Sequence, residues 1–515
     1  MPVPSSPVPS PHPINRPVFF IPLAILLAAV LLSLWFGDAF VTAETAVNDW
    51  ILLYFGRVFA LAGVGFLLLL AIVAVSPLGG TIIGGADAKP LLGRWRWFAV
   101  TLCTTIATGI LFWGAAEPLF HLNDPPAMLG VEPGSPAAAT FAMSTMFLHW
   151  TLTPYAIYTV GALAFAIVYY NRREPFRLSS MFVPLIGRHA HGPIGSAIDI
   201  VCLYALVAGM AASLGAGVLA LAGGIEGLGG FSGGAPLRWG IAAAIVATFV
   251  ISAALGLQKG ITRLSLLNIW MFFAVLLFVI VAGPAGLLPR LGFDGASDYA
   301  ATFLPRSLGI DVDPDWHRQW TIFNWGNWFA WAPVTALFLG RLAVGYTVRA
   351  VIAFNLLLPA LFGAIWMIVI AGTTITLDRQ SGGALYAVLL ESGPDPLLYR
   401  IFSQLGGGPI ILTLLIAAIF LSYVTAADSN VSAMSGLSTR GISPDDPEAP
   451  LGVKIAWGAT VGLVAAVLVA AAGLDGIRMM SVLGGFPALF VILGAALSLA
   501  SMLVRGRHTA APAPS

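Results

Sequence analysis

Two short stretches concentrate the side chains best suited to holding a ligand. One reads His149-Trp150-Thr151-Leu152-Thr153-Pro154-Tyr155-Ala156-Ile157-Tyr158, the other Asn324-Trp325-Gly326-Asn327-Trp328-Phe329-Ala330-Trp331-Ala332-Pro333. On a helix Tyr155 and Tyr158 share a face, as do Trp328 and Trp331, while Trp150 lies two turns from Tyr158 on a neighbouring line. Four or five rings converging on one pocket would suit a quaternary ammonium group. Such a group has no proton to donate and is held by ring quadrupoles at about 2 kcal/mol or more per desolvated contact. The alternative is ordinary packing and interfacial anchoring by Trp and Tyr, which spacing alone does not exclude.

Two further stretches place small and polar residues inside apolar runs: Thr104-Thr105-Ile106-Ala107-Thr108-Gly109 and Thr425-Ala426-Ala427-Asp428-Ser429. Both are expected to break their helices. Backbone freed from helical bonds is tolerated in a membrane only where it is buried or lines a cavity, and transporters use it to hold substrate or ions. Thr105 and Thr108 either offer hydroxyls to a ligand or bond back to a carbonyl one turn earlier. Charged residues within apolar runs are Arg57, Glu117, Asp199 and Asp428, with His149 as a titratable neighbour. Glu117 and Asp428 read either as ion-coupling groups or as caps and structural pairs. Asp199 reads as the partner of Arg188, and Arg57 as a snorkelling residue.

Of the seven histidines only His149 is expected inside a span, and His189-Ala190-His191 would chelate weakly at best. No nucleophile with its base and no metal cluster stands out, so neither an enzyme nor a metal site or cofactor is expected. Cys103 and Cys202 fall in apolar runs and read as core residues rather than disulfide or zinc ligands.

The elements that must position these residues follow from composition. The 515 residues are 58% hydrophobic and 9% charged, with a mean hydropathy of +0.92, a profile that requires lipid as solvent. Apolar stretches of about 20 residues recur along the chain and lack strand alternation, so the expected class is an all-α membrane protein. Spans are placed at about 17–37, 50–76, 96–120, 138–170, 196–224, 238–257, 264–289, 318–340, 347–374, 409–436, 453–473 and 478–503. Residues 1–16 are Pro/Ser-rich and read as disordered, and residues 504–515 form a short tail. The first span lacks a convincing cleavage site and is read as retained. Within the connection from Pro289 to Trp320, the Asp298 to Leu304 portion is a candidate interfacial helix.

Lys89, Arg94, Arg172, Arg173, Arg177, Arg188, Lys259, Arg263, Arg341, Arg349 and Arg440 fall in alternate connections, and acidic residues dominate the opposite ones. By the positive-inside rule both termini face the cytoplasm. A net charge of +1 spread over short loops argues against a nucleic-acid partner.

Ser76-Pro77-Leu78-Gly79, Gly84-Gly85-Ala86-Asp87-Ala88-Lys89-Pro90 and Leu111-Phe112-Trp113-Gly114-Ala115-Ala116-Glu117-Pro118 occur in that order. His149-Trp150 to Tyr158, Ser213-Leu214-Gly215-Ala216-Gly217, Lys259-Gly260-Ile261, the Trp-rich eighth span and Thr425 to Ser429 follow in register. Together, over roughly residues 20–500, this set resembles the betaine/choline/carnitine transporter family. The resemblance implies about twelve transmembrane helices. Two leading helices and a loop (17–95) would precede two inverted five-helix repeats of the LeuT kind, 96–289 and 318–503, joined by a connection at 290–317. It implies a secondary transporter of the inner membrane, moving a small quaternary-ammonium or zwitterionic solute, with sodium or a proton as coupling ion and a homotrimeric assembly.

Residue by residue, the resemblance implies an aromatic box of Trp150, Tyr155, Tyr158 and Trp328, with Trp331 and Trp113 along the permeation path. Tyr155 and Asn327 each stand where family members usually carry Trp. In the third-span break, the family's glycine-rich stretch becomes Thr105-Ile106-Ala107-Thr108-Gly109, which narrows the pocket and adds hydroxyls. Of the hydroxyl pair the family uses for sodium in the tenth span, Thr425 remains and its neighbour is Ala426. Leu206 and Met210 stand where sodium-coupled members place threonines in the fifth. Sodium coupling is therefore expected to be weak, and Glu117 or Asp428 are the alternative ion-coupling groups. Within transport, the competing substrate reading is a zwitterion without a trimethylammonium group, such as an amino sulfonate or imino acid.

Overall fold

A computed structural model of the chain describes residues 13–105, 109–254, 260–394, 396–443 and 448–505. The helices that matter here are α1 (Arg16–Phe36), α2 (Asp38–Val75), α3 (Arg94–Thr105), α4 (Gly109–Asn123), α5 (Pro136–Trp150), α6 (Leu152–Ala166) and α7 (Pro193–Gly229). They continue with α8 (Gly234–Ala254), α9 (Gly260–Ala282), α10 (Leu288–Leu308), α11 (Phe323–Leu342), α12 (Leu358–Gln380), α13 (Pro409–Leu437) and α14 (Leu451–Arg505). Among the described residues, β-type pairing is limited to two isolated bridges, Ile14 with Thr439 and Ile82 with Thr347.

Nine segments among the described residues are long and apolar enough to cross a bilayer, and a tenth forms if α3 and α4, bent by 53° relative to each other, are one span. Of the two further segments of the sequence reading, Leu451–Val467 is a shorter apolar stretch among the described residues, and α11 carries two asparagines in its first half. At about 1.5 Å per residue, the 55 residues of α14 would extend about 80 Å, far beyond a single hydrocarbon core. Helical geometry thus runs without interruption across the boundary expected between the eleventh and twelfth spans.

Local chemistry explains why the ring-bearing fourth span is two helices rather than one. Ser135 caps α5 by accepting from the Ala138 amide at 3.1 Å, ahead of Pro136. The helix ends at Trp150 because Pro154 has no N–H to give the Trp150 carbonyl and its ring crowds that oxygen. Thr151 accordingly adopts φ −118°, ψ −109°, and α6 restarts one residue later.

Three other expectations are corrected. The tenth span is not broken: α13 is continuous from Pro409 to Leu437, because the Ser429 hydroxyl returns to the Thr425 carbonyl at 2.9 Å and preserves the helical path. The helix expected over Asp298 to Leu304 is three times longer, spanning Leu288–Leu308. Asp199 pairs with Arg177 at 2.7 Å rather than with Arg188, and also accepts from the Ser179 amide at 2.8 Å.

The glycine-rich segment after α2 ties the ends of α6 and α11 together. Ile83 donates to the Tyr346 carbonyl and accepts from Gly345, both at 2.9 Å. The Asn171 amide clasps the same loop, donating to Ile82 at 2.9 Å and accepting from Gly84 at 3.0 Å. In the interior α7 packs most extensively on α14, and α11 lies between α6 and α14. The helix carrying Trp328 is thus enclosed on both sides.

Candidate substrate and ion sites

Trp328 is the hub of the aromatic cluster. Its ring centroid lies 5.7 Å from Trp150, 5.7 Å from Tyr155 and 5.2 Å from Tyr158, at interplanar angles of 73°, 66° and 59°. All four side chains are buried. Edge-to-face contacts of this kind are favourable and directional. They bring three residues flanking the α5–α6 break onto one residue of α11. The indole N–H of Trp328 donates to Asn324 Oδ1 at 3.0 Å, one turn back on α11. Asn324 escaped the sequence reading, although its (i, i+4) spacing to Trp328 was there to be read.

Trp331, Asn327 and Trp113 are half-buried, Trp331 and Trp113 packing against the core. Gly109, at the start of α4, closes on the cluster from the third span. A Cβ there would sit 2.8 Å from Trp150 Cη2, so the ring occupies the space that glycine leaves. Thr105 takes the local option, its hydroxyl donating to the Thr101 carbonyl at 2.9 Å. Ala107 and Thr108 lie outside the described residues.

Glu117 lies directly behind Trp150. Its Oε2 accepts from the Trp150 indole N–H at 2.7 Å, and its Oε1 lies 2.5 Å from His149 Nδ1 and 3.4 Å from His121 Nε2. On the other side of the His149 ring, Nε2 is 3.1 Å from Thr321 Oγ1. Glu117, His121 and His149 are buried. His121 corrects the expectation that His149 alone sits in a span: α4 runs on to Asn123, three residues past the expected boundary. The three residues bring ligand-capable atoms within 4.8 Å of one another. As they stand, the imidazoles bond directly to the carboxylate, so an ion would have to part them first.

The expected sodium groups look different. Thr425 donates its hydroxyl to the carbonyls of Leu421 and Ser422 at 2.9 and 3.0 Å, and Ala426, Leu206 and Met210 are buried apolar residues. Asp428 accepts from the Ser252 hydroxyl through Oδ2, while its buried Oδ1 has no partner among the described residues. Thr104 meets Ser429 at 3.2 Å and links α3 to α13. Asn268, unremarked in the sequence, donates to Ser422 at 3.1 Å in the same region.

Comparison with known proteins agrees over nearly the whole chain. The family described as "BCCT, betaine/carnitine/choline family transporter" matches residues 17–508. A probable glycine betaine transporter of Desulfitobacterium hafniense is 30% identical over 480 residues, 92% of this chain and 95% of that one. The glycine betaine transporter OpuD of Bacillus subtilis is 30% identical over 506 residues, covering 95% of each. An ectoine/hydroxyectoine transporter of Virgibacillus pantothenticus is 27% identical over 500 residues, 96% of this chain and 98% of that one.

Proposed function

The chain belongs to the betaine/carnitine/choline transporter family, and from that premise we propose that it carries a small quaternary-ammonium or zwitterionic solute in a cage of Trp150, Tyr155, Tyr158 and Trp328. The observation that carries this reading is the convergence of three rings on Trp328 at 5.2–5.7 Å. A cation within about 6 Å of several such rings is attracted by each. Because the rings now touch, the solute must part them as it enters. That requirement fits a site that opens and closes during alternating access. Trp331, Trp113 and Asn327 would line the approach, and the backbone near Gly109 would face the solute's anionic end.

In this reading the protein sits in the inner membrane with both termini in the cytoplasm. Residues 96–289 and 318–503 are the two inverted repeats, and the assembly is a homotrimer. The close approach of α3 to α11 supports the pairing of the third and eighth spans as equivalent partners.

A second substrate reading has its own support. The Tyr155 hydroxyl is buried without a partner among the described residues, which favours a ligand with a hydrogen-bonding group on that side; a relative named for ectoine and hydroxyectoine transport points the same way. The test is binding to the purified protein, followed by tryptophan fluorescence, of glycine betaine, choline, carnitine, ectoine, taurine and proline. Saturable quenching by the trimethylammonium compounds alone supports the first reading, and preference for ectoine or taurine the second. No quenching by any of them would overturn both.

Sodium is expected to contribute little. A desolvated sodium ion needs several hard oxygen ligands, and here Thr425 spends its hydroxyl on its own helix beside Ala426. Uptake into proteoliposomes should therefore persist when potassium replaces sodium, and Thr425→Ala should change it less than about twofold. Steep sodium dependence abolished by Thr425→Ala would show that this hydroxyl turns outward to bind the ion.

A further inference from the structure

The pair Glu117–His149 touches the cage without belonging to it, and its bonding pattern is suited to holding a removable proton. Glu117 Oε1 and His149 Nδ1 are 2.5 Å apart, a separation that requires a hydrogen between them. The opposite nitrogen, Nε2, faces the Thr321 hydroxyl at 3.1 Å. A hydroxyl both donates and accepts. With neutral His149, Thr321 donates to the Nε2 lone pair; with imidazolium, Nε2–H donates to Thr321 instead. Both protonation states are satisfied without moving a heavy atom, a condition a proton-binding site must meet in a buried interior.

The same carboxylate is bonded to the cage. The Trp150 N–H donates to Glu117 Oε2 at 2.7 Å, and the Trp150 ring packs on Trp328. An anionic Glu117 polarises the indole so that its face carries more negative potential, and it adds its own attraction for a cation held in the cage. An extra proton on His149 cancels that charge. We propose that Glu117 and His149 form a proton site in competition with the cage, so that binding the solute's cationic group expels one proton from His149 Nε2 to water.

By reciprocity the proton must weaken solute binding as much as the solute weakens proton binding, which makes the proton a counter-ion in exchange rather than a co-transported partner. Other charged groups face the pair. His121 shares α4 and contacts Glu117 at 3.4 Å. From α10, Arg306 reaches toward His121 while held by Asp298 and Ser144 at 2.8 and 2.9 Å. His317 and Arg318 lie just before α11, His317 within electrostatic reach of His149 and Arg318 paired with Asp315. Glu117 is the residue bonded to both His149 and the cage, and its removal therefore tests the link between them.

The inference rests on the cage reading, and calorimetry separates the two. Glycine betaine and choline are titrated into the purified full-length protein between about pH 5.5 and 8.5, in buffers of different ionisation enthalpy. The expected result is a buffer-dependent enthalpy reporting release of a fraction of a proton up to one per solute, with affinity at least about fivefold weaker at the acidic end. Glu117→Gln keeps the shape and should bind with buffer-independent enthalpy and little pH dependence; Thr321→Val, which removes the acceptor for Nε2–H, should release less proton per solute than the parent. Solute binding by the parent with no proton release anywhere in this range would overturn the competition and leave the cage intact. Failure of the parent to bind any of these solutes would overturn the cage itself.

Discussion

Trp328→Leu is expected to lower the affinity of the purified protein for the proposed quaternary-ammonium solute, tested with glycine betaine, by about thirtyfold, read as the shift in the binding isotherm. Leucine keeps apolar bulk but removes the ring on which Trp150, Tyr155 and Tyr158 converge. One desolvated cation–ring contact is worth about 2 kcal/mol, or roughly thirtyfold in affinity. The substitution also has a structural cost. Three ring pairs worth about 0.5–1.5 kcal/mol each are lost, and Asn324 loses its indole donor. Trp328→Phe separates the two effects, because it loses the Asn324 bond while keeping a ring at the hub. The phenylalanine variant should recover most of the affinity and little of the thermal stability. If the leucine variant bound as tightly as the parent, the rings would be packing residues and the cage would be wrong.

How this site was legible in the chain can be stated residue by residue. Class and the aromatic cluster were readable because both depend on pattern: long apolar runs demand helices in lipid, and tryptophans and tyrosines three apart must share a face. The break between α5 and α6 was also written locally, since Pro154 cannot bond to the Trp150 carbonyl. His121 was missed for a quantitative reason. Ending the third span at residue 120 put it outside the membrane, although it stands four residues from Glu117 and helical spacing alone would have brought them together. The intact tenth span shows the opposite error. Threonine, serine and aspartate inside a helix permit a break but do not compel one, and here Thr425 and Ser429 back-bond within an unbroken α13. Which partner Asp199 takes was not decidable from sequence distance, because Arg177 and Arg188 both precede it and the turns between them set the choice.

The second large effect concerns how α11 is held. Gly485 of α14 and Gly326 of α11 meet backbone to backbone: a Cβ on Gly485 would lie 1.9 Å from the Gly326 carbonyl oxygen and 2.7 Å from its carbon. Without water to be expelled from, membrane helices associate through packing, and small residues are what let backbones approach this closely. Gly485→Val therefore cannot be absorbed by rotating a side chain, and α11 must move away from α14. Because Gly326 is two residues before Trp328, that movement carries the hub of the ring cluster with it. Overpacking a core typically costs about 1–3 kcal/mol and more where backbone must shift; the valine variant should reach the upper end, melting well below the parent in detergent and losing solute binding with it. Gly240 in α8 supplies the control, since a Cβ there would meet nothing within 4 Å. Gly240→Ala should melt at or slightly above the parent temperature, as expected for glycine replaced by a better helix former. A Gly485→Val protein as stable as Gly240→Ala would mean that α11 and α14 are not in backbone contact, and that the position of Trp328 is set by α6 alone.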